Sequence, residues 1–394
     1  MIPSSQKTVF IDGSLLVTES LVRAGADVFI GYPITPANLL YLYSSRRFPT
    51  FIAAPDEITT LQLMSGYSAA GRIPVTATSF PGYALMLESI NMAYMMELPM
   101  VVILVQRLGP ATGTATGGAQ GDLALLNGTI SGGLTLPVVS ISGPHDGWVL
   151  AAKAVEMAVQ MRTPVILLTS KEEMMTMFSF DLNALEEIKP VTRKYFKGGD
   201  SYKPYLPDEN LVPAFVPLTD KNHQVRLTAS THDTCGILQN TAKEALENSV
   251  RLHKKIIKNS SGYSFYDLEE EKGAGTLIVS WGITALAAKE AAGRIRKEGK
   301  KVSLLITKTL LPVPDVYYNI MARYKKVIIA EENLTGQYRQ ILFGSKSPDN
   351  ITGVNKFGKM ISPEEIMEKF EEIYYAPNAC RQAGDKFSQI VPSA

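Results

Sequence analysis

The chain has 394 residues, with 39 Lys and Arg against 38 Asp and Glu, a net charge of +1 and 45% hydrophobic side chains. That length accommodates two domains and a connector, and the near-neutral balance gives no support for a nucleic-acid-binding surface. Cys235 and Cys380 are the only cysteines and form no Cys-x-x-Cys pair, which excludes an iron–sulfur or zinc site held by this chain alone and suits a reducing compartment. The N-terminal MIPSSQKTVFIDG has no apolar signal core, and no apolar run approaches the ~20 residues needed to span a bilayer. A soluble, cytoplasmic protein is expected.

In chain order, short Val- and Ile-rich runs recur, each bounded by turn residues: DVFIGYP (27–33), PVTATSF (74–80), MVVILVQR (100–107), LPVVSI (136–141) and PVILLTS (164–170). Helix-length amphipathic stretches lie between them at 14–24, 57–70, 84–96 and 149–162. Continuously apolar strands are the mark of a parallel sheet covered on both faces. Residues 1–178 therefore read as a doubly wound α/β domain. Residues 179–272 break the rhythm, with Pro190, Pro204, Pro207, Pro213 and Pro217 among many aromatics and charges. They read as a long connector ending in a helix near 238–258, whose Arg251, Lys254, Lys255 and Lys258 read as a solvated face. Alternation resumes with TLIVSWG (276–282), a helix at 284–298, KVSLLIT (301–307), a helix at 314–324, KVIIAEEN (326–333) and a helix at 335–343. A final helix starts at Ser362-Pro363-Glu364-Glu365, with an N-cap serine, proline at the first position and glutamate three residues after the cap. A second α/β domain is thus expected over 273–378, followed by a 379–394 tail.

Four elements at strand ends could carry chemistry, because ligands of open α/β sheets gather at the carboxyl ends of strands. Gly31-Tyr32-Pro33-Ile34-Thr35-Pro36 is a stiffened turn presenting the Thr35 hydroxyl; it also reads as a plain strand-to-helix junction. Asp56-Glu57 opens a helix, where an acidic pair also reads as capping. Ser79-Phe80-Pro81-Gly82 also reads as an ordinary turn before a helix. The fourth runs from Gln106-Arg107 through Gly109-Pro110-Ala111-Thr112-Gly113 to Gln120-Gly121-Asp122. Its glycines would let a backbone approach a ligand, and Arg107 could bind a carboxylate bidentately or pair with Asp122. Neither GxxxxGK[ST] nor GxGxxG is present, so nucleotide P-loop and dinucleotide readings fail.

In order and spacing, GYPITP, the Glu after FIAAP, TATSxPG and QRxGPxTG…QGD resemble the α subunit of the 2-oxoacid:ferredoxin oxidoreductases, and the RxGPxTG form resembles the 2-oxoglutarate branch. TLIVSWGITALAAKEA, LLPVPD, KKVIIAEENLTGQ and GKMISPEEI resemble that subunit's second domain, and Thr231-His232-Asp233 resembles a family element in the connector. The resemblance implies two doubly wound parallel-sheet domains, a pyrimidine-binding module and a transketolase C-terminal-like module. It implies thiamine diphosphate shared with a β subunit. With no Gly-Asp-Gly signature on this chain, that β subunit is expected to hold the diphosphate, Mg2+ and a [4Fe-4S] cluster. A γ subunit is expected as well, and a small δ subunit is admitted. The reaction implied is coenzyme-A-dependent oxidative decarboxylation of a 2-oxoacid, 2-oxoglutarate ahead of pyruvate, with electrons passing to ferredoxin, or the reverse CO2-fixing carboxylation.

Carried over residue by residue, the resemblance places Glu57 opposite N1′ of the aminopyrimidine. Pro33, Ile34 and Ser79 would stand beside the cofactor, and Thr35, Arg107 and Thr112 at the substrate carboxylate. His145, His223, His232 and His253 are not needed for this chemistry. The sequence departs from the family pattern at Pro55, where an acidic residue is common, at Phe80 in the SFPG turn, and at Ala111 where GPSTG becomes GPATG. These departures bear on the substrate. Two rival readings are a subunit of another thiamine-diphosphate enzyme and a degenerate, non-catalytic structural subunit.

Overall fold

A computed structural model of the chain describes residues 8–199 and 201–375; the expected tail and Cys380 lie outside them. In chain order the strands and helices are β1 (Thr8–Asp12), α1 (Gly13–Arg23), β2 (Val28–Gly31), α2 (Asn38–Arg47), β3 (Thr50–Ala53), α3 (Glu57–Ala69), β4 (Pro74–Thr78), α4 (Phe80–Met95) and β5 (Met100–Gln106). There follow α5 (Leu123–Asn127), β6 (Val138–Ser140), α6 (Pro144–Met161), β7 (Pro164–Ser170), α7 (Lys171–Met175), β8 (Met177–Asp181) and α8 (Lys243–Ser260). The rest are β9 (Tyr266–Glu269), β10 (Thr276–Ser280), α9 (Thr284–Lys297), β11 (Ser303–Thr307), β12 (Thr309–Leu311), α10 (Asp315–Met321), β13 (Lys326–Glu331), α11 (Gln337–Phe343), β14 (Ile351–Asn355) and α12 (Pro363–Tyr374).

The first sheet has seven strands in the order β12-β6-β7-β5-β4-β2-β3, and every pair is parallel except β12 with β6. All residues of β2, β4, β5, β6 and β7 are buried, as strands covered on both faces must be. The second sheet has the order β14-β13-β10-β11-β9, with β9 alone antiparallel. So the last stretch of the span read as connector is an edge strand of the second sheet, and β12, from the second α/β span, completes the first. The two sheets also share a core. Leu277, Val279, Leu305, Val327 and Ile329 belong to the apolar cluster that fills the first domain, while the alternate residues Ile278, Leu304, Ile306 and Ile328 pack under α9 and α12.

The connector does not float. Arg251 and Lys255 on α8 are buried, which corrects the solvated-face reading; only Lys254 and Lys258 are exposed. Both buried cations converge on Glu97, at 2.6 Å each, from a point more than 150 residues away along the chain. The two cations hold the Glu97 carboxyl down at about 2 against the opposing effect of its burial. His232 is fully buried, its Nδ1 2.7 Å from the Ser230 carbonyl and its ring against Tyr205.

One side chain fastens the two sheets at their ligand-binding edges. In the second sheet the strand order reverses between β10 and β13, which creates a crevice at their carboxyl ends. Gln120, from the loop after β5, is wholly buried there. Its Nε2 donates to the Trp281 carbonyl at 2.7 Å, and its Oε1 accepts from the Thr284 hydroxyl and the Glu332 amide, each at 2.7 Å. Gly282 has φ +55, and a Cβ there would lie 2.7 Å from Gln120 Nε2, so the tight fit requires glycine. Gln120→Ala strands a buried carbonyl, hydroxyl and amide together. It is expected to lower urea-unfolding stability by about 4 kcal/mol; a loss under about 1 kcal/mol would remove Gln120 as the fastening.

Candidate active site

In the first sheet the strand order reverses between β2 and β4, so the segments that follow them leave on opposite sides and open a crevice. The four sequence elements all stand along this carboxyl edge, after β2, β3, β4 and β5.

The acidic pair after β3 divides its tasks. Asp56 is the N-cap of α3, its carboxylate accepting from the Thr59 amide at 2.7 Å, a bond that also holds its pKa below the usual carboxylate range. Glu57, the first helical residue, is thereby free of capping. It is only 6% exposed, and among the described residues its carboxylate has no hydrogen-bond partner. That carboxylate lies over Gly82: a Cβ there would come within 2.5 Å of Glu57 Oε1 and 2.2 Å of Thr78 Oγ1. The residue at 82 must therefore lack a side chain.

Gly82 sits where it does because α4 starts at Phe80, four residues ahead of the expected helix, with Pro81 in its first turn. The SFPG segment is a helix start rather than a free turn. Ser79 is its N-cap residue, yet the hydroxyl makes no capping bond. Ser79 is fully buried and its Oγ has no partner. An enclosed hydroxyl and a carboxylate of a buried residue, both without partners among the described residues, thus stand beside a backbone that has no Cβ, where a polar group could be received.

At the neighbouring strand ends, Arg107 is buried and its Nη1 donates to the Thr35 carbonyl at 2.5 Å. Asn38 Nδ2 in turn donates to the Thr35 hydroxyl at 3.0 Å. Arg107 Nε is enclosed and has no partner. The alternative pairing with Asp122 is not made: no carboxylate oxygen lies within 4.0 Å of Arg107 among the described residues. Asp122 is nonetheless a charge neighbour of Arg107. Burial pushes its carboxyl up to about 7, with the Arg107 charge pulling the other way, and its Oδ2 also lacks a partner. The guanidinium is thus anchored at Nη1 and left without a partner at Nε, so part of its donor capacity is unused.

The glycine-rich loop serves its own folding first. Leu108 N donates to the Gly117 carbonyl, Thr114 N to Leu108 and Gly113 N to Pro110, while Gly118 N donates to the Glu172 carboxylate. Gly113, at φ +48, would drive a Cβ to 1.6 Å from the Leu108 oxygen. These glycines make tight turns rather than an open anion nest. Thr112 is exposed at the loop tip and bonded to neither Arg107 nor Thr35. Pro33 is exposed, and Ile34, half-buried, packs onto the first-domain core. Gly82, Asn38 and Asp122 join the site only through the fold. Gly82 and Asp122 are in segments that sequence singles out and Asn38 falls two residues beyond one, but nothing local marks their contacts.

A family model described as "Pyruvate flavodoxin/ferredoxin oxidoreductase, thiamine diP-bdg" matches residues 19–254. Along 366 residues the chain is 29% identical to the 2-oxoglutarate synthase subunit KorA of Methanocaldococcus jannaschii, covering 91% of this chain and 98% of that one. It is 27% identical to the ketoisovalerate oxidoreductase subunit VorB of Methanothermobacter thermautotrophicus, covering 93% of this chain and 98% of that one. Among solved structures, a chain of 2-oxoglutarate:ferredoxin oxidoreductase from Magnetococcus marinus, with 2-oxoglutarate, coenzyme A and succinyl-CoA bound, superposes with a TM-score of 0.86 at 29% identity. The match covers 94% of this chain and 66% of that one.

Asp122 offers a test by pH. Its unfolded pKa is about 3.9, so between about pH 4 and about pH 7 the native state keeps a proton that the unfolded state has released. Stability then falls as pH rises through that window. Burial pushes Glu173 and Glu332 the same way, to about 8 and about 7, so the difference between variant and parent isolates Asp122. Asp122→Asn is expected to remove up to about 1.4 kcal/mol of that slope per pH unit, and urea-unfolding profiles that run parallel would show that Asp122 does not titrate there.

Proposed function

The chain belongs to the pyruvate flavodoxin/ferredoxin oxidoreductase family of thiamine-diphosphate-binding chains, and from that footing we propose that it is the α subunit of a 2-oxoacid:ferredoxin oxidoreductase acting on 2-oxoglutarate ahead of pyruvate. The observation that carries this reading is Glu57, relieved of capping by Asp56, buried, without a partner and laid over Gly82. The arrangement fits the aminopyrimidine of thiamine diphosphate. Glu57 would hold a proton at the ring nitrogen that faces it, and the Ser79 hydroxyl would take a neighbouring polar atom. Pro33 and Ile34 would bound the ring's apolar side. When bound, the cofactor supplies the electron sink for decarboxylation.

Arg107, braced on the Thr35 carbonyl, would receive the substrate's C1 carboxylate on its open guanidinium edge, with the Thr35 hydroxyl beside it. Thr112 would come near only if the loop tip folds over the bound acid. Holding the carboxylate in one pose fixes which bond faces the cofactor, and orientation of this kind contributes much of an enzyme's rate. In the reaction a 2-oxoacid, coenzyme A and two oxidised ferredoxins give acyl-CoA, CO2, a proton and two reduced ferredoxins; it also runs in reverse. The proposed domain plan is 1–178 for the pyrimidine side, a 179–272 connector that yields its last strand to the second sheet, and 273–378 for the transketolase-like module. The diphosphate, Mg2+ and cluster would be held by a β subunit, with a γ subunit and ferredoxin completing the system.

The test is anaerobic, coenzyme-A-dependent dye reduction by the copurified complex. Glu57→Gln is expected to lower kcat at least about 100-fold while cluster absorbance and Tm hold. Gly82→Ala, which leaves Glu57 in place but pushes its carboxylate aside, is expected to lose activity to a similar extent. Undiminished turnover in Glu57→Gln would reduce Glu57 to a structural residue. Faster turnover of pyruvate or 2-oxoisovalerate than of 2-oxoglutarate would overturn the substrate assignment.

A further inference from the structure

At the opposite, amino-terminal edge of the first sheet lies a cavity of about 550 Å3, between the end of α6, the connector and the end of α8. Its walls carry Arg162, Lys189, Arg193 and Lys194 against only Glu156 and Asp208. Both carboxylates are already answered. Glu156 takes Lys153 at 2.7 Å and the Tyr263 hydroxyl, and Asp208 takes Lys194 at 2.7 Å and the amides of Asn210 and Val212.

Arg162, Arg193 and Lys189 have no carboxylate within ion-pair distance among the described residues. Arg162 is 2% exposed and donates to the carbonyls of Glu97, Pro204, Pro213 and Ala214. Arg193 donates from Nη2 to the Arg72 carbonyl, while its Nη1 is enclosed and has no partner. Both guanidiniums lie against one ring, Phe215, at 5.5 Å and 4.2 Å from its centroid. Behind this wall the single Glu97 faces both Arg251 and Lys255, so the region carries excess positive charge in depth. Enclosed cations without a counter-charge are costly unless something supplies one.

We propose that this cavity binds a small phosphate-bearing anion, remote from the Glu57–Arg107 site. Guanidinium groups present paired donors that match phosphate oxygens, and the volume lies in the range of small-molecule pockets. Phe215, Val191, Val212 and Tyr263 offer apolar wall for the ligand's organic part. The ligand touches α6 on one side and the connector and α8 on the other, so binding clamps the connector to the first domain.

The probe is inorganic pyrophosphate, added to the assembled complex at constant ionic strength, with thermal unfolding and calorimetry as readouts. At about a hundredfold excess over Kd, the parent is expected to gain about 3 °C in Tm. Arg193→Met keeps the stem against Phe215 and removes the charge; it is expected to weaken binding at least tenfold while dye reduction without pyrophosphate stays at the parent level. Lys189→Ala, at an exposed position, is expected to weaken binding about threefold and decides the matter if Arg193→Met fails to fold. No Tm gain, an equal gain from chloride at the same ionic strength, or unchanged affinity in Lys189→Ala and in any folded Arg193→Met would overturn the proposal. So would an assembled complex in which an acidic segment of a partner chain already fills the cavity.

Discussion

The amide of Gln120 is the contact on which the molecule's geometry turns. It lies in the crevice where an open α/β sheet would ordinarily receive a ligand, and it satisfies the Trp281 carbonyl, the Thr284 hydroxyl and the Glu332 amide at once. The second sheet's binding edge is therefore filled by the first domain, and the second module acts as a support. Its grip begins thirteen positions after Arg107 in the chain, so the loop from the proposed carboxylate receptor is tied down at its far end. Lys308 adds a second tie, bonded at 2.7 Å to Asp146 of α6 and at 2.7 Å to Asp267 of β9.

Division of labour between neighbours is the other recurring device. Asp56 caps so that Glu57 need not. Ser79 stands at a cap position without capping, because Pro81 in the first turn already removes one amide that a cap would serve. At both helix starts a polar side chain, the Glu57 carboxylate and the Ser79 hydroxyl, is left without a partner among the described residues. Unpaired buried polar groups are expensive in a folded protein, and Ser79 Oγ, Arg107 Nε and Asp122 Oδ2 all lie along this one edge.

The sequence made the long, fully buried strands legible, because continuous Val and Ile runs such as MVVILVQR admit few other readings. The capping box at Ser362 and Glu365 was legible for the same reason: it is local. What could not be read depends on partners far along the chain. The three residues of β12 follow β11 across the polar run Thr307-Lys308-Thr309, and nothing there names β6 as the partner. Arg251 and Lys255 lie four apart on one face of α8, a spacing that looks like solvated charge until Glu97 is placed under it. The candidate site was legible in outline through Thr35, Glu57, Ser79 and Arg107, which the fold brings to one sheet edge. The need for glycine at 82 was not, because it arises from a carboxylate twenty-five positions earlier crossing that backbone.

The antiparallel pairing of β12 with β6, through Leu311 with Val138 and Thr309 with Val139, has a bearing on how the chain is made. On the ribosome, every other strand of the first sheet emerges before the connector does, and β6 then waits as an open edge. Its bonding groups and apolar side chains stay available to any neighbouring chain until residue 311 has cleared the exit tunnel. Separate expression of residues 1–178 would make that interval permanent, leaving an edge suited to strand-to-strand association between copies. The sheet that is translated first thus waits for a strand from the far side of the connector, and closes only after the second sheet has begun to form.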